Sequence, residues 1–167
     1  MIMLNIKNMV FMGLVIAWGI GEAAAGCSVS TTGMSFGLYQ PLTFTGKLTS
    51  HPVASDTTLR LACTGIVAGG AYTIGLGPSS AGSGDRINTR YLANASGGEP
   101  MAFNIYQDPN HLTLWGDGVT GAALSGTIPV GDSNSEHVVY GTIPSGQSSL
   151  RAGSYSDTLV VTLTYMP

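Results

Sequence analysis

Asp157-Thr158-Leu159-Val160-Val161-Thr162-Leu163-Thr164-Tyr165 alternates without a break. Leu159, Val161, Leu163 and Tyr165 share one phase, and Thr158, Val160, Thr162 and Thr164 share the other. Successive side chains of an extended strand point to opposite faces, so a period of two describes a strand with one buried and one solvated side. The same signature recurs upstream, in Thr57 to Cys63, Ala71 to Leu76, Met101 to Gln107, Leu124 to Val130 and His137 to Ile143. Glycine, proline, serine and aspartate separate these runs, and no segment carries a convincing 3.6-residue period. Short strands divided by turn residues predict an all-β sandwich or barrel in one domain.

Weaker signals complete the expected strand set. Cys27 to Phe36 is extended, with its inward phase moving from Cys27 and Val29 to Met34 and Phe36 across Thr32-Gly33. A one-residue shift at a glycine reads as a β-bulge. Leu42 to Leu48 and Arg86 to Leu92 read as short strands. His111 to Trp115 reads as the return arm of a hairpin after Asp108-Pro109-Asn110. Leu124 to Val130 and His137 to Ile143 are expected to pair around an acidic turn, Gly131 to Glu136.

Composition narrows the function. Of 167 residues only 9% are charged, 44% are hydrophobic and 24 are glycine; the formal net charge is −3. Lysine occurs only at Lys7 and Lys47, with arginine at 60, 86, 90 and 151. Phosphate-backbone recognition needs clustered cations, so nucleic-acid binding is excluded. The apolar content argues equally against charge-driven disorder.

Residues 1–25 read as a secretory signal peptide, leaving residues 26–167 as the mature domain. Lys7 supplies a positive start, Met9 to Ile20 an apolar run, and Ala23-Ala24-Ala25 the small residues that precede cleavage. The interval from Lys7 to Glu22 holds 14 residues, short of the roughly 20 needed for a membrane span. No second apolar run of that length follows, so no integral membrane segment is expected after cleavage. The expected location is the periplasm, then the cell surface or the extracellular space.

Export makes a disulfide the default for the two mature cysteines, Cys27 and Cys63. Each sits in the inward phase of its strand, and closing the loop between them stabilises by roughly 4 kcal/mol in the chain-entropy account.

Chemistry-bearing motifs are sparse. Gly33-Met34-Ser35-Phe36-Gly37 fits G-x-S-x-G, but a nucleophile elbow needs a helix after the serine and none is expected here. His51, His111 and His137 have no partner at metal-ligand spacing, and each reads as a surface or hairpin residue. Asp132 to Glu136 lacks the glycine and terminal glutamate of an EF-hand. No cofactor, metal or catalytic residue is expected, and the chain is not read as an enzyme.

An ordered set of short matches gives a resemblance. Cys27-x-Val29, Phe36-Gly37-x-Tyr39-x-Pro41-Leu42 and Leu59-x-Leu61-x-Cys63-Thr64-Gly65 come first. Tyr72-x-Ile74-x-Leu76, Phe103-Asn104-Ile105-Tyr106-x-Asp108 and Leu114-Trp115-Gly116 follow, and Gly153-x-Tyr155-x-Asp157 through Leu163 closes the set. Together they resemble the spore coat protein U domain family, which includes subunits of archaic chaperone–usher pili. The resemblance implies an immunoglobulin-like β-sandwich that is incomplete and lacks its final strand. A periplasmic pilus chaperone, an outer-membrane usher and neighbouring pilus subunits would be its partners, with adhesion and biofilm formation as the role.

A strand donated by another chain would lie in a groove. The residues expected to line it are Leu159, Val161, Leu163 and Tyr165, with Val29 and Phe36 opposite. Cleavage after Ala25 would leave only Gly26 before Cys27, which points to a tip or minor subunit rather than a repeating rod subunit. The alternative is a self-sufficient secreted sandwich acting as a coat or matrix protein or as a carbohydrate-binding module.

Overall fold

The structure, a computed structural model, describes residues 2–9 (backbone), 25–41 and 50–167. Every element among the described residues is a strand: β1 (Ile2–Met9), β2 (Gly26–Thr31), β3 (Met34–Gly37), β4 (Val53–Ile66), β5 (Gly70–Leu76), β6 (Arg90–Asn94), β7 (Met101–Tyr106), β8 (Leu124–Ile128), β9 (Gly131–Ile143) and β10 (Tyr155–Met166). Hydrogen bonding runs in the order β2-β4-β9-β7-β6-β10-β1-β3, with β5 on β10 and β8 on β5. One layer is β2-β4-β9-β7 and the other is β8-β5-β10-β1-β3. Strand β6 joins them, pairing with β7 and, through Tyr155↔Asn94 and Ser156↔Ala93, with the start of β10. The result is an immunoglobulin-like sandwich.

The core follows from strand phase. On β10, Tyr155, Asp157, Leu159 and Val161 are buried, Leu163 and Tyr165 are half-buried, and the intervening residues are exposed. The inward residues of β4, β5, β7 and β9 meet this face in one cluster containing Leu59, Ile74, Phe103 and Val139. Phe36 of β3 meets Phe103 of β7 edge-on, with centroids 5.9 Å apart. Cys27 and Cys63 face each other in the β2–β4 register and are joined by a disulfide.

Several local expectations are corrected. The phase shift at Thr32-Gly33 is a change of sheet, not a bulge: β2 pairs with β4, whereas β3 pairs with β1. Gly33 has φ +81°, a left-handed conformation that glycine adopts freely and that turns the chain between layers. Residues 86–89 form a turn rather than a strand, because the Asp85 carboxylate accepts the N–H groups of Ile87 and Asn88. His111 to Trp115 contributes only isolated bridges. There the Asp108 carboxylate gathers the N–H groups of Asn110, Leu112 and Thr113 into a tight loop. Leu42 to Leu48 lies outside the described residues.

The largest correction concerns residues 131–136. They are the first half of the long strand β9, and β8 and β9 do not pair with each other. Instead β8 pairs with β5 and β9 with β4, from Val53↔Ile143 to Ile66↔Gly131. The turn sits earlier, at Pro129 to Gly131, where Gly131 has φ +93°. Polar side chains hid this strand, since its outer positions face solvent.

A buried cation ties the layers together. Arg90 is fully buried, and it donates to the carbonyls of Gly77 (3.0 Å) and Leu76 (2.9 Å) and to Asn104 Oδ1 (2.7 Å). Asn104 Nδ2 in turn donates to the carbonyls of Ile87 and Asn88. Desolvation lowers the Arg90 pKa to about 10, opposed by the charges of Asp117, Asp157 and Asp85, so the group stays protonated near neutrality.

Two predictions follow from these ties. Asn104→Leu leaves the buried guanidinium one acceptor short and two carbonyls without their donor. It is expected to cost about 2–4 kcal/mol, read from the urea midpoint. Replacing both cysteines by serine is expected to cost about 2–4 kcal/mol in the same assay. A midpoint unchanged within error in either variant would contradict the corresponding assignment.

Candidate functional site: a strand slot between β3 and β10

β10 has two edges. Along one, β6 pairs with Tyr155 and Ser156, and β5 pairs with Val161 to Met166. The gap between them is closed by the loop after β5. Gly77 N–H donates to the Val160 carbonyl at 2.9 Å, and Ser80 donates through its N–H and hydroxyl to the Asp157 carboxylate. The other edge is paired only by β1 among the described residues. That pairing is parallel and runs from Met3↔Ser156 to Met9↔Thr162.

On its far side β1 pairs antiparallel with β3, through Ile2↔Gly37, Met3↔Ser35 and Leu4↔Met34. Strands β3 and β10 therefore do not bond to each other. A strand-wide slot separates them, and residues 2–9 fill it.

The residues expected to line a groove divide into four groups. Leu159 (0% exposed) and Val161 (3%) lie within the β1 register, opposite Ile6 and Asn8. Phe36 is buried on β3, the other wall. Leu163 and Tyr165 lie beyond Met9↔Thr162; they pair with Ile74 and Tyr72 of β5, and the Tyr165 hydroxyl donates to the Ala68 carbonyl. Val29 is buried on β2 opposite Leu61, in the other layer.

Sequence reasoning passed over several residues that shape the slot. Asp157 is buried and pins the 79–80 loop, although its place in the inward phase of β10 was readable. Tyr39 is buried; its hydroxyl donates to the Pro144 carbonyl at 2.9 Å and accepts from Gln147 N–H. Where β1 begins, beside Gly37 and Tyr155, a cavity of about 310 Å³ opens between Leu38, Tyr39, Met101, Leu150, Arg151 and Tyr155.

The other sequence candidates are not brought together. Ser35 is mid-strand in β3, its carbonyl accepting from Ser55 Oγ at 2.7 Å, and no helix follows it. No three His, Cys, Asp or Glu side chains among the described residues group as metal ligands. His111 packs its ring on Tyr106, with centroids 5.1 Å apart. His137 is half-buried rather than a surface residue, and its Nε2 lies 2.7 Å from the Tyr72 hydroxyl, linking β9 to β5 across the layers.

Residues 21–162 match the Spore Coat Protein U domain. The chain belongs to this family. Among curated proteins, Protein U of Myxococcus xanthus is 29% identical over 154 residues, covering 89% of this chain and 78% of that protein. Among solved structures, the CsuC–CsuE chaperone–tip adhesion subunit pre-assembly complex from the archaic chaperone–usher Csu pili of Acinetobacter baumannii is 19% identical with a TM-score of 0.49. That match covers 94% of this chain, which spans about half (48%) of the matched chain. No helix among the described residues is long and apolar enough to cross a membrane.

His137 gives this spore coat protein U domain a pH dependence. Desolvation holds its folded pKa below the ordinary 6.5. Below that value the unfolded chain takes up a proton more readily than the folded one, so stability falls as pH drops from 6.5. Asp85, Asp108 and Asp117 are shifted below 3.8, chiefly by backbone N–H donors, and their contribution is lost only under stronger acid. Urea midpoints at pH 7.5 and 5.5 are expected to differ more for the wild type than for His137→Gln; equal differences would remove His137 as the cause.

Proposed function

We propose that residues 26–167 form a structural or adhesive subunit of a surface pilus of the chaperone–usher type, assembled by donor-strand complementation. Family membership supports this reading. The observation that carries it is the slot between β3 and β10, which no strand from residues 26–167 fills among the described residues. Without residues 2–9, the β10 edge from Ser156 to Thr162 and the β3 edge both lose their partners. The β10 edge carries buried Leu159 and Val161, and the β3 edge carries buried Phe36. Backbone groups so exposed are a template for strand addition, in which the ladder supplies affinity and the alternating side chains fix the register.

In this reading residues 1–25 are the export signal, cleaved after Ala25. A periplasmic pilus chaperone supplies a strand first, the outer-membrane usher passes the subunit outward, and a neighbouring pilus subunit supplies the final strand. With only Gly26 ahead of Cys27, the domain accepts a strand and has little to donate, which suits a tip or minor subunit acting in adhesion and biofilm formation. The role is non-catalytic, and the location is the periplasm and then the cell surface.

One observation favours a second reading. The slot is filled by this chain's own residues, as it would be in a self-sufficient secreted sandwich serving as a coat or matrix protein or a carbohydrate-binding module. Periplasmic yield of residues 26–167, with and without a co-expressed pilus chaperone from the same genome, separates the two. Accumulation only with the chaperone, in a co-purifying complex, is the expected result. A soluble monomer that folds cooperatively alone would replace the first reading with the second.

A further inference from the structure

We propose that the cavity bounded by Tyr39, Met101, Leu150, Arg151 and Tyr155 is a binding site for a small carboxylate with an apolar body, of the arylalkanoate class. Its lining residues all lie between Gly37 and Tyr155. The site therefore belongs to the domain itself, and it goes beyond the acceptor reading without resting on it.

The walls select an apolar body. Tyr39, Met101 and Tyr155 are buried and Leu150 is half-buried. Both tyrosine hydroxyls are already engaged inside the fold. Tyr39 donates to the Pro144 carbonyl and accepts from Gln147 N–H, and Tyr155 donates to the Arg151 carbonyl at 2.8 Å. What the tyrosines leave for a ligand is ring surface. A neutral sugar needs several donors and acceptors in exchange for its water and is poorly served here. A ring or a branched aliphatic group is well served.

Volume sets the size. The cavity holds about 310 Å³, at the lower end of the roughly 300–1,000 Å³ usual for small-molecule sites. A cavity of roughly 150 Å³ admits benzene, so one ring fits here with room for a short arm.

Arg151 sets the charge. A guanidinium is always protonated, and its fork of donors matches a carboxylate. Arg60–Glu136 is the only ion pair among the described residues, so neither Glu99 nor any other described acid neutralises Arg151. The hydrogen bonds of Arg151 among those residues both fall on its carbonyl, from Asn94 Nδ2 and the Tyr155 hydroxyl. Its stem runs against Gly98, where a Cβ would stand 3.1 Å from Arg151 Cδ.

The walls are also held from behind. Buried Asn94 abuts Gly153, where a Cβ would stand 2.8 Å from Asn94 Oδ1, and Ala95 N–H donates to the Ser154 carbonyl at 2.9 Å. Gln147 clamps the opposite loop to β7, accepting from Ala102 N–H at 2.7 Å and donating to the Ala102 carbonyl at 3.0 Å. A cavity whose walls are pinned in this way spends little binding energy on ordering itself.

The test is an NMR titration of the full chain, isotope-labelled at the methionine methyl groups, with hydrocinnamate. The Met101 methyl reports on the site and is assigned with Met101→Leu; Met166, at the far end of β10, is the internal control. Met101 is expected to shift saturably, with a dissociation constant below about 1 mM, while Met166 stays still. Hydrocinnamide, which has the same body without the charge, is expected to bind roughly fivefold more weakly. Arg151→Gln changes an exposed side chain and is expected to weaken the acid to the level of the amide, with amide binding unchanged. A Met101 shift that never saturates, or one matched by Met166, overturns the site. Equal affinity for acid and amide, or an acid affinity unchanged in Arg151→Gln, overturns the carboxylate assignment. Strand acceptance is untouched by either failure.

Discussion

The edge of β10 that faces β3 is the constraint on which the structure depends. Twelve residues of strand present two rows of backbone groups, and the inward phase between those rows includes Leu159 and Val161 at the centre of the core. Leaving a buried backbone donor or acceptor unpaired costs about 1–3 kcal/mol. Whole domains are stable by only about 5–15 kcal/mol. An emptied slot would leave the backbone groups from Ser156 to Thr162 to water, but it would open the Leu159 and Val161 face of β10 as well, and apolar exposure at roughly 25 cal/mol per Å² draws on that small margin. Occupation of the slot therefore favours the folded domain, and on the proposed reading what differs between its states is the chain that occupies it.

The walls of that slot are held by contacts independent of its occupant. Asp157 is fixed by Ser80, and the loop carrying Ser80 is anchored by Arg86 donating to the Ser79 and Ser80 carbonyls. Arg90 and Asn104 clamp the end of β5 to β7 and to the turn at Ile87 and Asn88. The disulfide fastens β2 to β4, and the chain leaving Thr31 runs through Gly33 into β3. A preorganised slot spends less of the pairing energy on ordering itself, which raises the affinity available to any strand of the right alternation.

Much of this was legible in the chain. The alternation of β10, the inward phase of both cysteines and the sandwich class all follow from a period of two. The misses have a common cause, which is that periodicity reports burial within a strand and not the identity of its neighbours. Thr32-Gly33 carried a phase shift that a bulge and a sheet change produce alike. Residues 131–136 looked like a turn because their outward face is solvated. Arg90 stood in phase with Leu92, so the alternation placed it inward, but composition made a buried arginine easy to overlook. Residues 2–9 carry two messages at once. Lys7 and the apolar run after it read as a leader, while Ile2, Leu4 and Ile6 also satisfy the pattern of a strand.

Other edges exist, and on the proposed reading their geometry explains why strand addition would belong at this one. Among the described residues, β2 pairs only with β4 and β8 only with β5. Both are short, at 6 and 5 residues, and β8 stops against Pro129 while β2 is bonded covalently to its neighbour. Lysine, the usual guard of an exposed edge, is absent from both. Brevity and proline do the guarding instead. A strand laid on either outer edge gains one ladder and covers little of the core. A strand entering between β3 and β10 gains two ladders and covers Leu159, Val161 and Phe36. With apolar burial worth roughly 25 cal/mol per Å² and each hydrogen bond adding about 1 kcal/mol net, insertion exceeds edge addition on both counts. On the proposed reading, specificity for the slot then needs no recognition element beyond the added strand itself.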